Sequence, residues 1–178
     1  MMFLGGSMIE LIKKVDITLL QFINKKLRCK FLDKIMPYIT FLGSATFCMI
    51  FVVMTVMSKS KEIKNLGFLA SLSIITSGGI THFLKRVKNR IRPYIKFPTL
   101  NIKKIGVDDY SFPSGHTTAA FSIGISIALS FTGLAVVSIV IASLVGFSRV
   151  YLGVHYPTDV GAGVVVGTLS ALCMHMIV

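Results

Sequence analysis

The sequence predicts an all-α integral membrane helical bundle, with about five transmembrane helices and an N-terminal interfacial amphipathic helix. Three observations lead there. Of the 178 residues 53% are hydrophobic and 15% charged, with a mean hydropathy of +0.77; an ordinary soluble domain carries about a quarter charged residues. Apolar runs of bilayer length recur along the chain. The cations gather in two blocks between those runs, Lys13–Lys34 and Lys85–Lys104. The length fits one domain. The composition excludes disorder, collagen-like sequence and a disulfide scaffold, and the net charge of +12 asks for anionic headgroups or an anionic substrate. Nucleic acid is excluded as a partner, because no soluble domain presents the basic loop and few aromatics interleave it.

The elements follow in chain order. Met1–Ser7 carries no basic residue ahead of an apolar core, so the first span is expected to act as the insertion signal. In Ser7–Lys26, Met8, Ile9, Leu11, Ile12, Val15, Leu19, Leu20, Phe22 and Ile23 trace one helical face. Glu10, Lys13, Lys14 and Asp16 rule out a span, which leaves a surface helix lying in the interface or packed on the bundle. A span needs about 20 mostly apolar residues. Ile35–Met57 supplies them, with Asp33 as N-cap and Pro37 in the first turn. The remaining spans are Leu66–Leu84, Thr117–Phe131, Leu134–Phe147 and Thr158–Val178. Gly163 and Gly167 give the last one a flat packing face.

The chain thus reads as one domain over 1–178, with an interfacial segment at 1–34 and a transmembrane core at 35–178. Five spans put the loops 85–116 and 148–159 on the same membrane side. The N-terminal helix joins them there if it does not cross. Cys29, Cys48 and Cys173 are scattered and without metal spacing, and they receive no redox or metal role.

Chemistry concentrates in those two loops, where ionisable residues at span ends are costly unless they serve a function. Ser148-Arg149 precedes His155 and Asp159, which are four residues apart at the start of the last span and share a helical face. Asp159 is expected to accept from one ring nitrogen of His155, leaving the other as a nucleophile. Taken alone, a structural His–Asp cap is the commoner arrangement. Pro113-Ser114-Gly115-His116 places Ser114 at a helix N-cap and lets a phosphate approach the backbone N–H groups at Gly115. His116 stands beside that anion site, able to protonate a leaving oxygen. Lys85, Arg92 and Arg149 supply cations suited to phosphate. The other cations, Arg90 among them, read as a solvated or headgroup-binding run. Together the groups suit in-line phosphoryl transfer through a phosphohistidine. With seven acids in the whole chain, and Asp159 committed to His155, no metal and no cofactor are expected, because Arg and Lys supply the charge neutralisation.

These residues resemble the type-2 phosphatidic-acid phosphatase superfamily, which also includes the vanadium-dependent haloperoxidases. Its pattern is Lys-x6-Arg-Pro, Pro-Ser-Gly-His and Ser-Arg-x5-His-x3-Asp. Lys85, Arg92, Pro93, Pro113 to His116, Ser148, Arg149, His155 and Asp159 match every fixed position. The resemblance implies a helical bundle with its site near the membrane surface. It makes His155 the nucleophile, Asp159 its partner and His116 the general acid, with Lys85, Arg92, Ser114, Gly115 and Arg149 binding phosphate. It also implies a bacterial cell-envelope lipid phosphatase. Undecaprenyl diphosphate is the first candidate substrate, with phosphatidylglycerol phosphate and phosphatidic acid as alternatives. A haloperoxidase is set aside because of the spans. A non-catalytic lipid-binding or transport protein is the rival of another class; it explains the spans and basic blocks but not the two histidines and the aspartate.

Sixteen of the nineteen Lys and Arg lie on the catalytic side. Positive-inside counting would turn that side to the cytoplasm. The resemblance favours an extracytoplasmic site in the cell membrane, which is the expectation adopted. Oligomeric state and the roles of His82, Asp108 and Asp109 do not follow from the sequence.

Overall fold

The structure, a computed structural model, describes residues 3–102 and 110–178. Asp108 and Asp109 lie outside the described residues. The described chain is helical apart from loops and one isolated bridge between Ile91 and Tyr110. Helix α1 covers Phe3–Gln21 and runs into a π-helical turn at Phe22–Lys26; α2 is Lys30–Phe41, α3 Ala45–Val56 and α4 Lys61–Lys88. A short α5, Pro93–Lys96, precedes α6 at Gly115–Ser130, α7 at Ala135–Tyr151 and α8 at Pro157–Ile177.

The span predicted at Ile35–Met57 is broken: α2 and α3 meet at a 53° bend. Ser44 causes it locally, its hydroxyl accepting from Phe47 N at 3.2 Å to start a new helix. The expected cap at Asp33 is corrected too. Cys29 caps α2, while Asp33 binds Arg28 Nε at 3.1 Å and the Tyr151 hydroxyl at 3.0 Å. At the other side of the loop, α4 begins at Lys61, about a turn and a half of polar sequence earlier than hydropathy alone suggests, because Ser60 caps it and accepts from Ile63 N at 3.4 Å. It also runs on to Lys88, with Lys85, Arg86 and Lys88 in the last turn where they oppose the helix dipole, and ends at Asn89 in the left-handed region, φ 44°.

Helices α4, α7 with its preceding 3-10 turn, and α8 are long and apolar enough to cross a bilayer, and the bent pair α2–α3 makes a fourth such segment. Helix α6, 16 residues long, is the central one and packs on α4, α7 and α8. Hydroxyls tie it to α4: Ser77 and Ser122 are 2.9 Å apart, and Thr81 donates to Thr118 at 3.3 Å. Gly163 and Gly167 let α8 lie against α6. A methyl on Gly167 would strike Thr118 O, and one on Gly163 would come within 2.9 Å of Ser114 O.

The outer faces are apolar and exposed, as Val136 at 76% and Ile75 at 71% show. Patches of that kind are covered by lipid in a protein of this class. The chain is therefore a multi-pass membrane protein. Helix α1 differs from expectation in which face it buries. Asp16 and Leu20 turn inward, while Met8, Ile9, Leu11, Ile12, Val15 and Leu19 face out. It packs on the bundle through Asp16, Ile17 and Leu20, while Glu10, Lys13 and Lys14 are exposed along with those outward-facing apolar residues.

Candidate active site

Helix polarity brings four helix ends together: the last turns of α4 and α7 and the first turns of α6 and α8. Ser114 N donates to Asp159 O at 3.0 Å, which joins the starts of α6 and α8 directly. The loops 85–116 and 148–159 thus meet at one end of the bundle.

His155 lies between α7 and α8, 1% exposed. Its Nδ1 is 2.7 Å from Ser111 O. A carbonyl can only accept, so Nδ1 carries the proton and Nε2 presents its lone pair. Arg92 Nη1 donates to that lone pair at 3.2 Å. Burial first, and then the charges of Arg149, Arg92 and Lys85, hold the imidazole well below its ordinary pKa and therefore neutral at pH 7.

The tautomer is fixed by a different partner from the one the spacing suggested. Asp159 Oδ2 is 3.6 Å from Nδ1, whereas it accepts from Tyr156 N at 2.8 Å. Its other oxygen accepts from Arg90 Nη1 at 2.6 Å. Asp159 closes the first turn of α8 and pins Tyr156, the residue next to His155; Ser111 holds the ring itself.

Arg92 and Arg149 are 2% and 1% exposed. Arg92 Nη1 also donates to Val154 O at 3.1 Å, and Arg149 Nη1 to Thr40 Oγ1 at 2.8 Å. Ser114 caps α6, its hydroxyl accepting from Thr117 N at 3.5 Å and also from Thr117 Oγ1 at 2.9 Å. Gly115 and His116 follow as the first helical residues, where backbone N–H groups lack intrahelical partners.

Lys85, Arg92, Gly115, His116, Arg149 and His155 line one cavity of about 580 Å³. Ser114 and Asp159 stand behind it as supports. The cavity continues between α3 and α4 past Met49, Val52, Val53, Ile74 and Ile75. A wet, cationic end thus adjoins an apolar trough. His82 is on the exposed face of α4 and outside that lining.

Sequence reasoning missed Ser111, Thr40, Arg90 and Asp16. Asp16 left a trace as the acid that interrupts the apolar stripe of α1. The other three left none, since their partners are fixed only by the fold.

Residues 66–178 match the PAP2 superfamily. A bacitracin transport permease protein of Bacillus licheniformis is 36% identical over 58% of this chain, and the chain spans about half of that relative, 51% of its length. An undecaprenyl-diphosphatase of Bacillus subtilis is 28% identical over 78% of this chain and 70% of its own. Among solved structures, a transmembrane PAP2-type phosphatidylglycerolphosphate phosphatase from Bacillus subtilis superposes with a TM-score of 0.76 at 27% identity. That superposition covers 93% of this chain and 85% of the other. The match extends over well more than half of the sequence and includes every residue that lines the cationic end of the cavity from α4 onward: the chain belongs to the PAP2 superfamily.

Proposed function

We propose that this protein is a metal-independent lipid phosphate phosphatase, hydrolysing a phosphomonoester or diphosphate on a membrane lipid through a phosphohistidine at His155. The observation that carries the reading is the unprotonated Nε2 of a buried His155 facing three cations and a helix start, at the head of a trough lined by apolar side chains.

A phosphate in the cavity would be held by Lys85, Arg92 and Arg149 and by backbone N–H groups at Gly115. As Arg92 exchanges Nε2 for a phosphate oxygen, the lone pair is released for attack. The Nε2–P bond forms as the P–O bond to the leaving group breaks, the lipid alcohol from a monoester or the lipid monophosphate from a diphosphate, and His116 gives its proton to the leaving oxygen. Burial first, and then the surrounding cations, push the pKa of His116 down to about 3, so its role as acid requires the bound phosphate's negative charge to restore its proton. Water then attacks phosphorus, His116 takes its proton, the P–N bond breaks and phosphate leaves. Ser114 and Asp159 hold the two helix starts in register.

The trough suits a lipid tail, and the name of one relative makes undecaprenyl diphosphate the first substrate to try; phosphatidylglycerol phosphate and phosphatidic acid are the alternatives. We place the protein in the cell membrane. A second reading, non-catalytic lipid or antibiotic transport, is favoured by the name of the Bacillus licheniformis relative.

Phosphate release by the detergent-purified protein from these three lipids, with EDTA present, separates the readings. We expect turnover in EDTA from wild type and a loss of at least about 10³-fold in His155→Ala, the scale of removing a nucleophile. Loss of turnover on chelation that Mg²⁺ restores would refute metal independence. A folded wild type silent on every lipid, with transport intact in His155→Ala, would establish the rival.

A further inference from the structure

Arg90 stands two residues before Arg92 but outside the cavity lining, and it is bonded to three side chains. Its Nη1 donates to Asp159 Oδ1 at 2.6 Å and to Thr158 Oγ1 at 2.7 Å, its Nη2 to Asp16 Oδ2 at 2.6 Å. The guanidinium lies 3.9 Å from the centre of the Tyr156 ring. Asp16 comes from α1, with its side chain 1% exposed. It accepts from Thr158 N at 2.9 Å and from Thr158 Oγ1 at 2.6 Å, which makes it a second cap on α8 delivered from 142 residues away in sequence.

Two chains of contact run from Arg90 to His155. Through the side chain, Arg90 holds Asp159, and Asp159 holds Tyr156 N, adjacent to His155. Through the main chain, Arg90 O accepts from Ser111 N at 2.8 Å and from Ser111 Oγ at 3.2 Å. Ser111 O in turn accepts from His155 Nδ1 at 2.7 Å. One residue thus fixes both the backbone beside the nucleophile and the carbonyl that sets its tautomer.

We propose that Asp16 and Arg90 are positioning residues for His155: they clamp the start of α8 and the Ser111 carbonyl, so that full catalysis requires α1 to be seated. The proposal rests on His155 being the nucleophile. Both carboxylates are buried, and each depends on the same guanidinium, so loss of either end loosens the other.

The test uses the full chain in detergent with Asp16→Asn, Arg90→Gln, Arg90→Lys and the double variant Asp16→Asn/Arg90→Gln. We expect Asp16→Asn and Arg90→Gln to lower kcat at least about tenfold with KM within about twofold. The double variant should lose no more than the worse single one, the mark of groups acting as a unit. Arg90→Lys should recover part of the loss. Exchange of the Tyr156, Thr158, Asp159 and Val160 amides should quicken at least about tenfold in Asp16→Asn. A rise in KM with kcat kept would make Arg90 a phosphate ligand and overturn the proposal, as would kcat within twofold of wild type in both single variants. The exchange arm does not depend on turnover. A wild type silent on all lipids defeats the phosphatase reading, whereas unchanged exchange in Asp16→Asn defeats the clamp.

Discussion

His155 shows how a residue with an ordinary pKa near neutrality is held in its neutral form. Burial comes first in depressing it, and Arg149, Arg92 and Lys85 add to the effect. A depressed pKa means the neutral form persists as pH falls through the ordinary 6.5 and is lost only below it. In a histidine-labelled sample the ring signal that disappears in His155→Asn should therefore stay at its neutral position from about pH 8 to below 6.5. Titration at or above 6.5 would contradict the burial argument. At this scale the sequence was most informative, for a chemical reason. The proposed nucleophile, acid and anion ligands stand at fixed short spacings around helix ends, so Lys85, Arg92, Gly115, His116, Arg149 and His155, which line one cavity, could be grouped along the chain, as could Ser114 and Asp159 behind them. Ser111 could not, because it acts with a backbone carbonyl that any residue possesses.

At the scale of elements, hydropathy located the helices but misjudged their ends and the α2–α3 break. A bend made by Ser44 costs no apolar residues, so it leaves the hydropathy of Ile35–Met57 intact. The start of α4 was set too late for the converse reason: Lys61–Asn65 is polar yet helical, capped by Ser60. The Gly163–Gly167 face was legible as a spacing, and its partner, Thr118 with Ser122, was not. The contact is close enough to predict from: Gly167→Val should destabilise by about 1–3 kcal/mol, the range for forcing extra atoms into a packed interface. Gly161→Ala, where a methyl meets nothing within 4 Å, should be neutral or slightly stabilising. Thermal unfolding of both variants in the same detergent checks the contrast; equal midpoints would mean that α8 does not lie on α6 as described.

For the molecule as a whole, charge and architecture pull in opposite directions. The catalytic side holds most of the cations, which by counting alone would face it to the cytoplasm. Yet Arg90 is paired with Asp16 and Asp159, and Arg92 and Arg149 are buried inside the bundle, so the count overstates the positive charge exposed to headgroups. We expect the extracytoplasmic face. A cysteine introduced within residues 96–108 should react with a membrane-impermeant maleimide in intact cells, in a background without Cys29. Labelling only after permeabilisation would reverse the orientation.

The trough between α3 and α4 is walled on its outer side by Met49, Val53 and Ile75, which are 69%, 52% and 71% exposed. Under the proposed function, a substrate whose tail never leaves the leaflet would enter between those helices and reach Lys85 and Arg92 at the head of the trough. Encounter then takes place in two dimensions, and the quantity that governs it is the mole fraction of the lipid in its own leaflet, not its molarity in the surrounding water.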